Sequence, residues 1–433
     1  MCSDISHIYN LYIKSDGVSI NSRTISSNQL FFAIKGNNFD GNRYAQEAIN
    51  KGALAVIVDD PKLENTEKHI HVKNSLVALQ QLATMHRLQL DATVFIAIGG
   101  SNGKTTTKSL LHAVFSQHYN TFATEGNLNN HIGVPLSILS VNNDCDIAIC
   151  EIGANHLTEH ELLCNILQPD MALITNCGKD HLQGYGSVQN VIKSNKEIFD
   201  FCVSKKRLVF LNSDDAGLMS FQDYPNSIFF GNTQHRNTKF SYEVMQEYPR
   251  LKLKIANPVG QTFDLNTHLY GQINAHNILA AITIANHLNV ECQKILSAIS
   301  AYQPSINRSS HILWQTHDVY LDAYNANPSS MKAFIDFIGK SQGLVKIVVL
   351  GAMEELGSAS EDEHRLIIEQ LKQIQVDQLI LVGLPFKPLS ESVQCQYFDH
   401  MSSAEFKQKI HQITNAEIFV KGSRKYMLET LFT

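Results

Sequence analysis

The stretch that decides the fold is VFIAIGGSNGKTTTKSLLHAVF, residues 94–115. Its first part, Val94–Ile98, is apolar and rich in β-branched side chains, which predicts a buried strand. Apolar residues then recur at helical spacing as far as Phe115, so we expect a helix after the loop Gly100–Thr105. A triphosphate tail requires inward backbone amides, a helix N-terminus, an ammonium group and a hydroxyl for its metal, and this loop offers all four. The stretch therefore predicts a nucleoside-triphosphate cradle.

The loop departs from the usual eight-residue phosphate-loop pattern at one position. Ile98 stands where that pattern has its first glycine, which leaves the tighter form GxxGKT. The alternative is a glycine-rich turn in which Lys-Thr occurs by chance, but the strand before it and the helix after it favour phosphate binding. The predicted phosphate-binding residues are Gly100, Ser101, Asn102, Gly103, Lys104, Thr105 and Thr106.

Composition limits the class of protein. The chain has 433 residues, 44% hydrophobic and 18% charged, which is typical of a soluble protein with about two to four domains. A net charge of -6 offers no basic surface for nucleic acid or a membrane, so neither partner is expected. The eight cysteines form no CxxC pair, and no signal peptide or membrane span is recognisable. We therefore expect a cytoplasmic protein with reduced thiols.

Alternating strand and helix patterns predict an α/β fold with three domains, residues 1–88, 89–303 and 304–433. The first is a small α/β unit that includes a helix over 75–90. The second carries a largely parallel sheet, and alternation of apolar and polar residues over 240–269 predicts an antiparallel ribbon within it. The third is a compact doubly wound unit. Residues 289–307 are predicted to be the linker into it.

Two candidate residues lie at the predicted strand ends. Glu151 closes an apolar strand, and the ligand crevice of a parallel sheet lies at its carboxyl ends, where magnesium takes carboxylate ligands. The alternative for Glu151 is an N-cap of the next helix. His181 follows the strand 171–176, which predicts the same rim and a metal or substrate role, although a lone loop histidine is usually without one.

Three polar segments are candidate binding sites. The loop TEGNLNN, residues 124–130, carries amides suited to peptide and sugar groups, unless it is a simple asparagine-rich turn. The segment 321–328 is a second polar loop at a strand end, and Arg308 precedes it. Together with residues 421–424, these groups predict a cationic rim that binds carboxylates or phosphates.

Nine motifs stand in order along the chain: GSNGKTTTK, TEGNLNNHIGVPLSIL, EIGANH, ITNCGKDHLQGYGS, NSDD, GQINAHNILAA, LDAYNANPSSM, GAMEELGSASEDEH and FVKGSRKYM. Together they resemble the Mur ligase family of peptidoglycan precursor enzymes. The N-terminal SRTISSNQLFFAIKGNNFDGNRY is similar to the family's UDP-sugar-binding segment, so the resemblance covers nearly the whole chain.

The resemblance implies a three-domain, ATP-dependent amide ligase. Residues 1–88 would bind the UDP-sugar, 89–303 would bind ATP in a central P-loop domain, and 304–433 would form a Rossmann-like domain for an incoming dipeptide. The terminal carboxylate of a UDP-N-acetylmuramoyl tripeptide would be phosphorylated, and the amine of D-alanyl-D-alanine would then attack the acyl phosphate. Mg²⁺ would assist phosphoryl transfer, and we expect a monomer.

The resemblance also implies roles for individual residues. Lys104, Glu151 and His181 would be catalytic, and magnesium would be held by Thr105 together with the latter two. Further ATP contacts would be Asn274 and Asn277 on the adenine side, Arg308 on phosphate and Asp322 on ribose. The MEELG segment would face the dipeptide. The remaining implied substrate contacts are Ser22, Arg23, Lys35, Asn127, Asn129, Asn130, Asn155, His156, Tyr324, Asn325, Asn327, Lys421, Ser423 and Arg424.

Two positions depart from the family pattern. Ile273 stands where a histidine is expected in GxHNxxN, which puts that one contact in doubt. Asn195 stands where the family carries a carbamylated lysine that binds a second magnesium. Helical spacing predicts that Asn195 points inward, that Lys193 points roughly opposite, and that Lys196 lies about 100° round the helix. We expect an active ligase without a carbamate. The alternative is that Lys196 bends inward and carries the carbamate itself.

Three interpretations remain open on the sequence alone. The leading one is the ligase that adds D-alanyl-D-alanine. Another Mur-type or folylpolyglutamate-synthetase-like ligase is the second, although the NLNN and YNANP loops argue against it. A catalytically weak nucleotide-binding paralogue, marked by the missing lysine, is the third.

Overall fold

The computed structural model describes residues 5–36, 38–64, 66–232 and 238–432. The outer ends of the first and last predicted domains, residues 1–4 and 433, lie outside this range. Contacts group the chain into two compact units. Unit 1 comprises the chain up to Ala97 with Tyr119–Ala154 and Thr158–Met171, and unit 2 comprises Ile98–His118, Asn155–Leu157 and the chain from Ala172. The three predicted domain ranges therefore stay predictions.

The N-terminal part of unit 1 is a small parallel sheet with helices. Its elements are α1 (Ile5–Tyr12), β1 (Val18–Ser19), β2 (Leu30–Phe32), β3 (Lys35–Gly36), β4 (Phe39–Asp40), α2 (Ala45–Asn50), β5 (Ala55–Val58), β6 (His69–His71) and α3 (Ser75–Arg87). The strand order is β1-β2-β5-β6, all parallel, with β3 and β4 as a separate hairpin. The predicted helix over 75–90 is confirmed as α3, which the Asn74 side chain caps.

The segment around the phosphate loop alternates strands and helices. Its elements are β7 (Val94–Gly99), α4 (Lys104–Phe115), β8 (Thr121–Ala123), α5 (Gly133–Ile138), β9 (Ile147–Glu151), α6 (Glu159–Leu167) and β10 (Met171–Ile174). The strand order in unit 1 is β7-β9-β8, with β8 and β9 parallel. Buried Arg87 ties α3 to the end of α6, because it donates to the carbonyls of Leu167 and Gln168 and to Asp170.

The next segment, in unit 2, has the elements α7 (Leu182–Tyr185), α8 (Val188–Ser204), β11 (Leu208–Asn212), β12 (Ser227–Phe230), β13 (Thr238–Gln246), β14 (Lys252–Ala256), β15 (Thr262–Asn266), α9 (Ile273–His287) and α10 (Cys292–Ala301). The strand order in unit 2 is β15-β14-β13-β12-β11-β10-β7. Antiparallel pairing of β13, β14 and β15 confirms the predicted ribbon.

The predicted linker over 289–307 is wrong for most of its length. Residues 292–301 form helix α10, which packs against α4 and α9. The helix forms because Ile295, Leu296, Ala298 and Ile299 lie on one face and are buried there.

The C-terminal part of unit 2 has the elements β16 (Ser310–Trp314), β17 (His317–Asp322), α11 (Pro328–Gly339), β18 (Lys346–Gly351), α12 (Ser360–Leu371), β19 (Gln378–Val382), β20 (Gln396–Phe398), α13 (Ser403–Ile410) and β21 (Glu417–Lys421). The strand order is β16-β17-β21-β18-β19-β20, parallel except for β16. The carboxyl ends of β17, β18 and β21 therefore meet at one edge. None of the described helices has the length and apolar character that a membrane span requires.

Candidate functional site

The phosphate loop of unit 2 requires glycine at two positions. Gly100 and Gly103 have φ of 119° and 85°, in the left-handed region that side chains disfavour. A Cβ atom on Gly100 would lie 2.2 Å from Oγ1 of Thr175, and one on Gly103 would lie 2.2 Å from Oδ1 of Asn277. The loop is thus packed between the end of β10 and helix α9.

Neighbouring polar groups hold the loop in place. Ser101 donates to the Asp180 carboxylate at 2.6 Å, and the backbone N–H of Asn102 donates to Oδ1 of Asn176 at 3.1 Å. The carbonyl of Asn102 accepts hydrogen bonds from the side chains of Thr175 at 2.6 Å and Asn176 at 2.8 Å. These bonds fix the backbone of the loop.

Helix α4 begins directly after the loop. Lys104 is its first residue, Thr105 and Thr106 follow in the first turn, and Gly103 before it offers no capping side chain. The partly exposed Lys104 side chain curls back, so that Nζ donates to the carbonyl of Gly100. A positive helix end and an ammonium group at one loop together form an anion-binding arrangement.

Two buried asparagines of α9 lie beside the loop. Nδ2 of Asn277 donates to Oδ1 of Asn274 at 3.1 Å, and Asn274 donates to the carbonyl of Tyr270 at 2.7 Å. Ile273, the residue that departs from the family pattern, is the first residue of this helix. His276 lies three residues on, where Nε2 contacts the Tyr242 hydroxyl and the Asp214 carboxylate, each at 3.1 Å.

His181 follows the loop after β10. Its Nδ1 contacts Oε2 of Glu355, a residue of the MEELG segment, and this contact lowers the pKa of the Glu355 carboxyl. Beside it, the ammonium of Lys179 lies 2.7 Å from the Glu363 carboxylate. The two predicted substrate residues Asn155 and His156 border α7, whose Gly184 lies against them.

The C-terminal rim has a buried ion pair. Lys421, only 1% exposed, ends β21, and its Nζ donates to the carboxylate of Asp322 at 2.5 Å and to the carbonyl of Asn325 at 3.2 Å. Asp322 and Lys421 are register partners on adjacent strands, which explains why they meet.

A second cationic feature lies next to it. The guanidinium carbon of Arg308 lies 3.5 Å from the ring centroid of Tyr324, and that of Arg424 lies 5.2 Å from it. Ser423 is buried beside the start of the MEELG segment, since its N–H donates to the carbonyl of Ala352 at 3.4 Å. The stacked guanidinium groups provide a surface for carboxylates or phosphates.

Asn327 joins this rim to the phosphate loop. Its Oδ1 caps helix α11 by accepting from the N–H of Ser330 at 2.8 Å, and its Nδ2 donates to Oδ1 of Asn102 at 2.9 Å. Ser329, also in α11, accepts from the N–H of Lys179 at 2.8 Å. Within unit 2, the predicted phosphate loop and the predicted dipeptide loop are therefore in direct contact.

Other predicted residues belong to unit 1. Glu151 is buried, and it accepts a hydrogen bond of 2.8 Å from the side chain of Asn129. The Asn130 side chain accepts from the N–H groups of Ile132 and Gly133, so one part of the loop is a turn that leads into α5. Asn127 is exposed, and Lys35 forms an ion pair of 2.9 Å with Asp59.

Unit 1 also contains a polar cavity of about 960 Å³. Two parts of the chain line it. One is the segment before β2, which includes Asn21 and Thr24, and the other flanks α5 and includes Leu128 and Leu139. Ser22 and Arg23 lie between two lining residues in sequence; Ser22 is buried and Arg23 is exposed.

Comparisons with known proteins cover nearly the whole chain. Residues 14–87 match the Mur ligase family catalytic domain, 98–285 the Mur ligase middle domain, and 308–424 the Mur ligase glutamate ligase domain. The UDP-N-acetylmuramoyl-tripeptide–D-alanyl-D-alanine ligase of Buchnera aphidicola is 31% identical over 99% of this chain and 94% of its own length. The chain belongs to the Mur ligase family. The Escherichia coli ligase of the same name is 30% identical, over 96% of this chain and 93% of its own.

Solved structures agree with this membership. MurF from Acinetobacter baumannii, 26% identical, superposes with a TM-score of 0.86 over 97% of this chain and 96% of its own. MurF from Thermotoga maritima in complex with ADP is 24% identical, has a TM-score of 0.86, and covers 98% of this chain and 97% of its own. The three-domain α/β architecture predicted for this Mur ligase is therefore confirmed.

Sequence reasoning missed two functional candidates in this Mur ligase. Asp180 holds Ser101 of the phosphate loop, and only its place in the loop after β10 marked it. His364 is fully buried in α12, where Nε2 accepts from the N–H of Met353 at 3.0 Å and Nδ1 lies 2.6 Å from the carbonyl of Ser360. It fixes the start of the MEELG segment, and burial lowers the pKa of its imidazole.

Proposed function

We propose that this protein is an ATP-dependent ligase that joins D-alanyl-D-alanine to UDP-N-acetylmuramoyl tripeptide, with ADP and phosphate as products. The observation that carries the reaction type is the hydrogen bond between Asn102 and Asn327, which joins a phosphate loop to a cationic rim in unit 2. The substrates follow from relatives of that name, which align along nearly the full chain. Since ATP and a nucleotide-linked precursor are its substrates, we propose that the protein is cytoplasmic. We further propose that it is a monomer.

The residues of unit 2 divide the reaction between them. Lys104 and the first amides of α4 stabilise charge on the phosphoryl group as it moves to the carboxylate of the tripeptide. Asn274 and Asn277 serve the adenine side, Arg308 serves phosphate and Asp322 serves ribose. The rim residues that receive the dipeptide are Tyr324, Asn325, Asn327, Lys421, Ser423 and Arg424, with the MEELG segment. The amine of the dipeptide then displaces phosphate from the acyl group.

The side chains near the phosphate loop are suited to bind Mg²⁺ together with a nucleotide. The described residues include no group of three or more His, Cys, Asp or Glu that could hold a metal ion by itself. Mg²⁺ bound with a nucleotide needs only one or two protein ligands, because phosphate oxygens and waters complete its octahedron. We propose the Thr105 hydroxyl and the His181 imidazole as ligands, and the Glu151 carboxylate as a further one. The ion would neutralise charge on the β- and γ-phosphates.

A coupled phosphate-release assay tests this function against its alternatives. We expect release to depend strictly on both the UDP-tripeptide and D-alanyl-D-alanine. Release with glutamate or a single amino acid as the acceptor would instead indicate another Mur-type or folylpolyglutamate-synthetase-like ligase. Nucleotide binding without turnover would indicate a catalytically weak paralogue.

A variant of Arg23 tests the proposed UDP-sugar-binding site. We propose that Ser22, Arg23 and Lys35 lie near the diphosphate, and that Asn127, Asn129, Asn130, Asn155 and His156 contact the sugar and peptide. Because Arg23 is exposed, Arg23→Ala removes a charge-assisted contact without disturbing the core. We expect KM for the UDP-tripeptide to rise about 10-fold, with KM for ATP unchanged. Lys62→Ala, another exposed cation of unit 1, is the control. An unchanged KM for Arg23→Ala would exclude this role.

Asn195 predicts how this enzyme differs from the family. The side chain is 2% exposed, its Nδ2 donates to the carbonyl of Val191 at 3.1 Å, and its buried Oδ1 has no hydrogen-bond partner among the described residues. Asn195 is therefore buried, whereas Lys193 on the same helix is exposed. An amide offers a neutral oxygen but no amine to carbamylate, so we expect turnover insensitive to bicarbonate and a raised Mg²⁺ requirement.

A variant of Lys196 distinguishes a site without a carbamate from one in which Lys196 carries the carbamate. The side chain is partly buried, so it is the one nearby amine of α8 that could replace the family lysine. We expect Lys196→Ala to retain near-normal turnover in the phosphate-release assay. A loss of activity that short-chain carboxylates restore would identify Lys196 as the carbamate carrier instead.

A further inference from the structure

Two loops of unit 2 meet at His181 and Glu355. Nδ1 of His181 contacts Oε2 of Glu355, and the backbone N–H of Gln183 donates to the carbonyl of Glu355 at 2.9 Å. His181 lies in the loop after β10, whereas Glu355 lies in the loop after β18 of the C-terminal sheet. The contact therefore crosses from the predicted ATP-binding domain to the predicted dipeptide-binding domain.

Both residues hold an uncommon backbone conformation. His181 has φ of 45° and Glu355 has φ of 61°, in the left-handed region where residues other than glycine are uncommon. Such conformations persist only where the surrounding structure holds them, and here they occur at both residues of the contact. The bond from Gln183 fixes the backbone of Glu355 independently of its carboxylate.

The contact determines which nitrogen of His181 can bind a metal. A deprotonated carboxylate beside Nδ1 favours the proton of a neutral imidazole on that nitrogen, which leaves the lone pair on Nε2. The imidazole is 24% exposed, and Nε2 forms no hydrogen bond within the described part of the chain. A histidine that binds a metal usually donates its other N–H to such a carboxylate, which fixes its orientation and raises its basicity.

We propose that Glu355 is a positioning residue that orients His181 for magnesium, so that the C-terminal segment MEELG completes the metal site of the ATP-binding domain. This inference rests on the proposed role of His181 as a magnesium ligand. Its consequence is that the metal ligand is correctly oriented only when the dipeptide-binding part is docked. Phosphoryl transfer is thereby linked to the arrival of the domain that supplies the attacking amine.

The competing explanation is that the contact only docks the two loops. Lys179 and Glu363 join the same two segments at 2.7 Å without touching an imidazole. Glu363→Gln is therefore the matched control for Glu355→Gln, since each removes one carboxylate charge from the same contact region. A docking role predicts similar effects of the two variants, whereas a positioning role predicts an effect of Glu355→Gln alone on the metal.

The test measures Mn²⁺, a spectroscopic substitute for Mg²⁺, with the full-length protein and a saturating non-hydrolysable ATP analogue. Free Mn²⁺ is followed by electron paramagnetic resonance, and spin-echo modulation by ¹⁴N reports whether an imidazole binds the metal. We expect Glu355→Gln to raise the Kd for Mn²⁺ about 10-fold or more, and Glu363→Gln to change it less than about twofold. The ¹⁴N modulation should be present in the wild type and absent in His181→Ala.

The outcomes separate the inference from the proposed function. If His181→Ala loses the modulation while Glu355→Gln binds Mn²⁺ as tightly as the wild type, the positioning role is overturned and the metal role of His181 stands. Equal weakening by Glu355→Gln and Glu363→Gln would likewise overturn positioning in favour of docking. If His181→Ala retains the modulation, the metal role itself is wrong, and the inference fails with it.

Discussion

Lys104→Ala is expected to lower kcat by about 10³-fold while the protein remains folded. The lysine is the first residue of α4 and its side chain is partly exposed. Within the described part of the chain, its Nζ donates only to the carbonyl of Gly100 in the loop itself. The ammonium therefore contributes little to the core, and its proposed work is to stabilise charge on the transferring phosphoryl group.

Steady-state phosphate release with both substrates measures the loss, and thermal unfolding checks the fold. We expect Tm to stay within a few degrees of the wild type, because no buried group loses a partner. Lys104→Arg keeps the charge but not the compact ammonium, so it should recover only part of the activity. Activity of Lys104→Ala above a tenth of the wild type would exclude this loop as the catalytic phosphate site.

Lys421→Met is expected to lower the free energy of unfolding by about 3 kcal/mol. Lys421 is 1% exposed, and its ammonium is paired with Asp322 at the edge where β17 and β21 end. Removal of the cation leaves the Asp322 carboxylate, 25% exposed, without its partner. Breaking a buried pair costs more than the pair contributes, since the remaining charge lies in a poorly solvated place.

Urea unfolding of three variants tests this prediction. Lys425→Met removes the exposed ammonium that lies 3.0 Å from Glu354, and should cost less than about 1 kcal/mol. The double variant Lys421→Met/Asp322→Asn removes both charges, so it should recover much of the lost stability. A loss below about 1 kcal/mol for Lys421→Met alone would show that the pair does not support this sheet edge.

Much of the fold could be predicted from the sequence because local pattern determines it. The strand and helix around the predicted phosphate loop, the ribbon of β13 to β15 and helix α3 are confirmed near their predicted bounds. Helix α10 could also have been predicted, since its buried face shows helical spacing over 295–299. The edge strand β16 was harder to recognise, because only Ser310 in it is fully buried.

The site was less predictable because its contacts join distant parts of the chain. Asp180 binds Ser101 across 79 positions, and Asn327 binds Asn102 across 225. Only the path of the chain in three dimensions brings such residues together, and no local period records it. The strand-end rule predicted His181 at the rim of the sheet, but it could not show that Glu355 contacts its imidazole.

We propose that the amide bond forms through an acyl phosphate on the tripeptide. Labelling both oxygens of the tripeptide's terminal carboxylate with ¹⁸O, and analysing the released phosphate by mass spectrometry, tests it most directly. Because one carboxylate oxygen must leave with the phosphoryl group, we predict one ¹⁸O atom in each phosphate released, strictly in the presence of D-alanyl-D-alanine. Phosphate that carries no ¹⁸O would contradict the account.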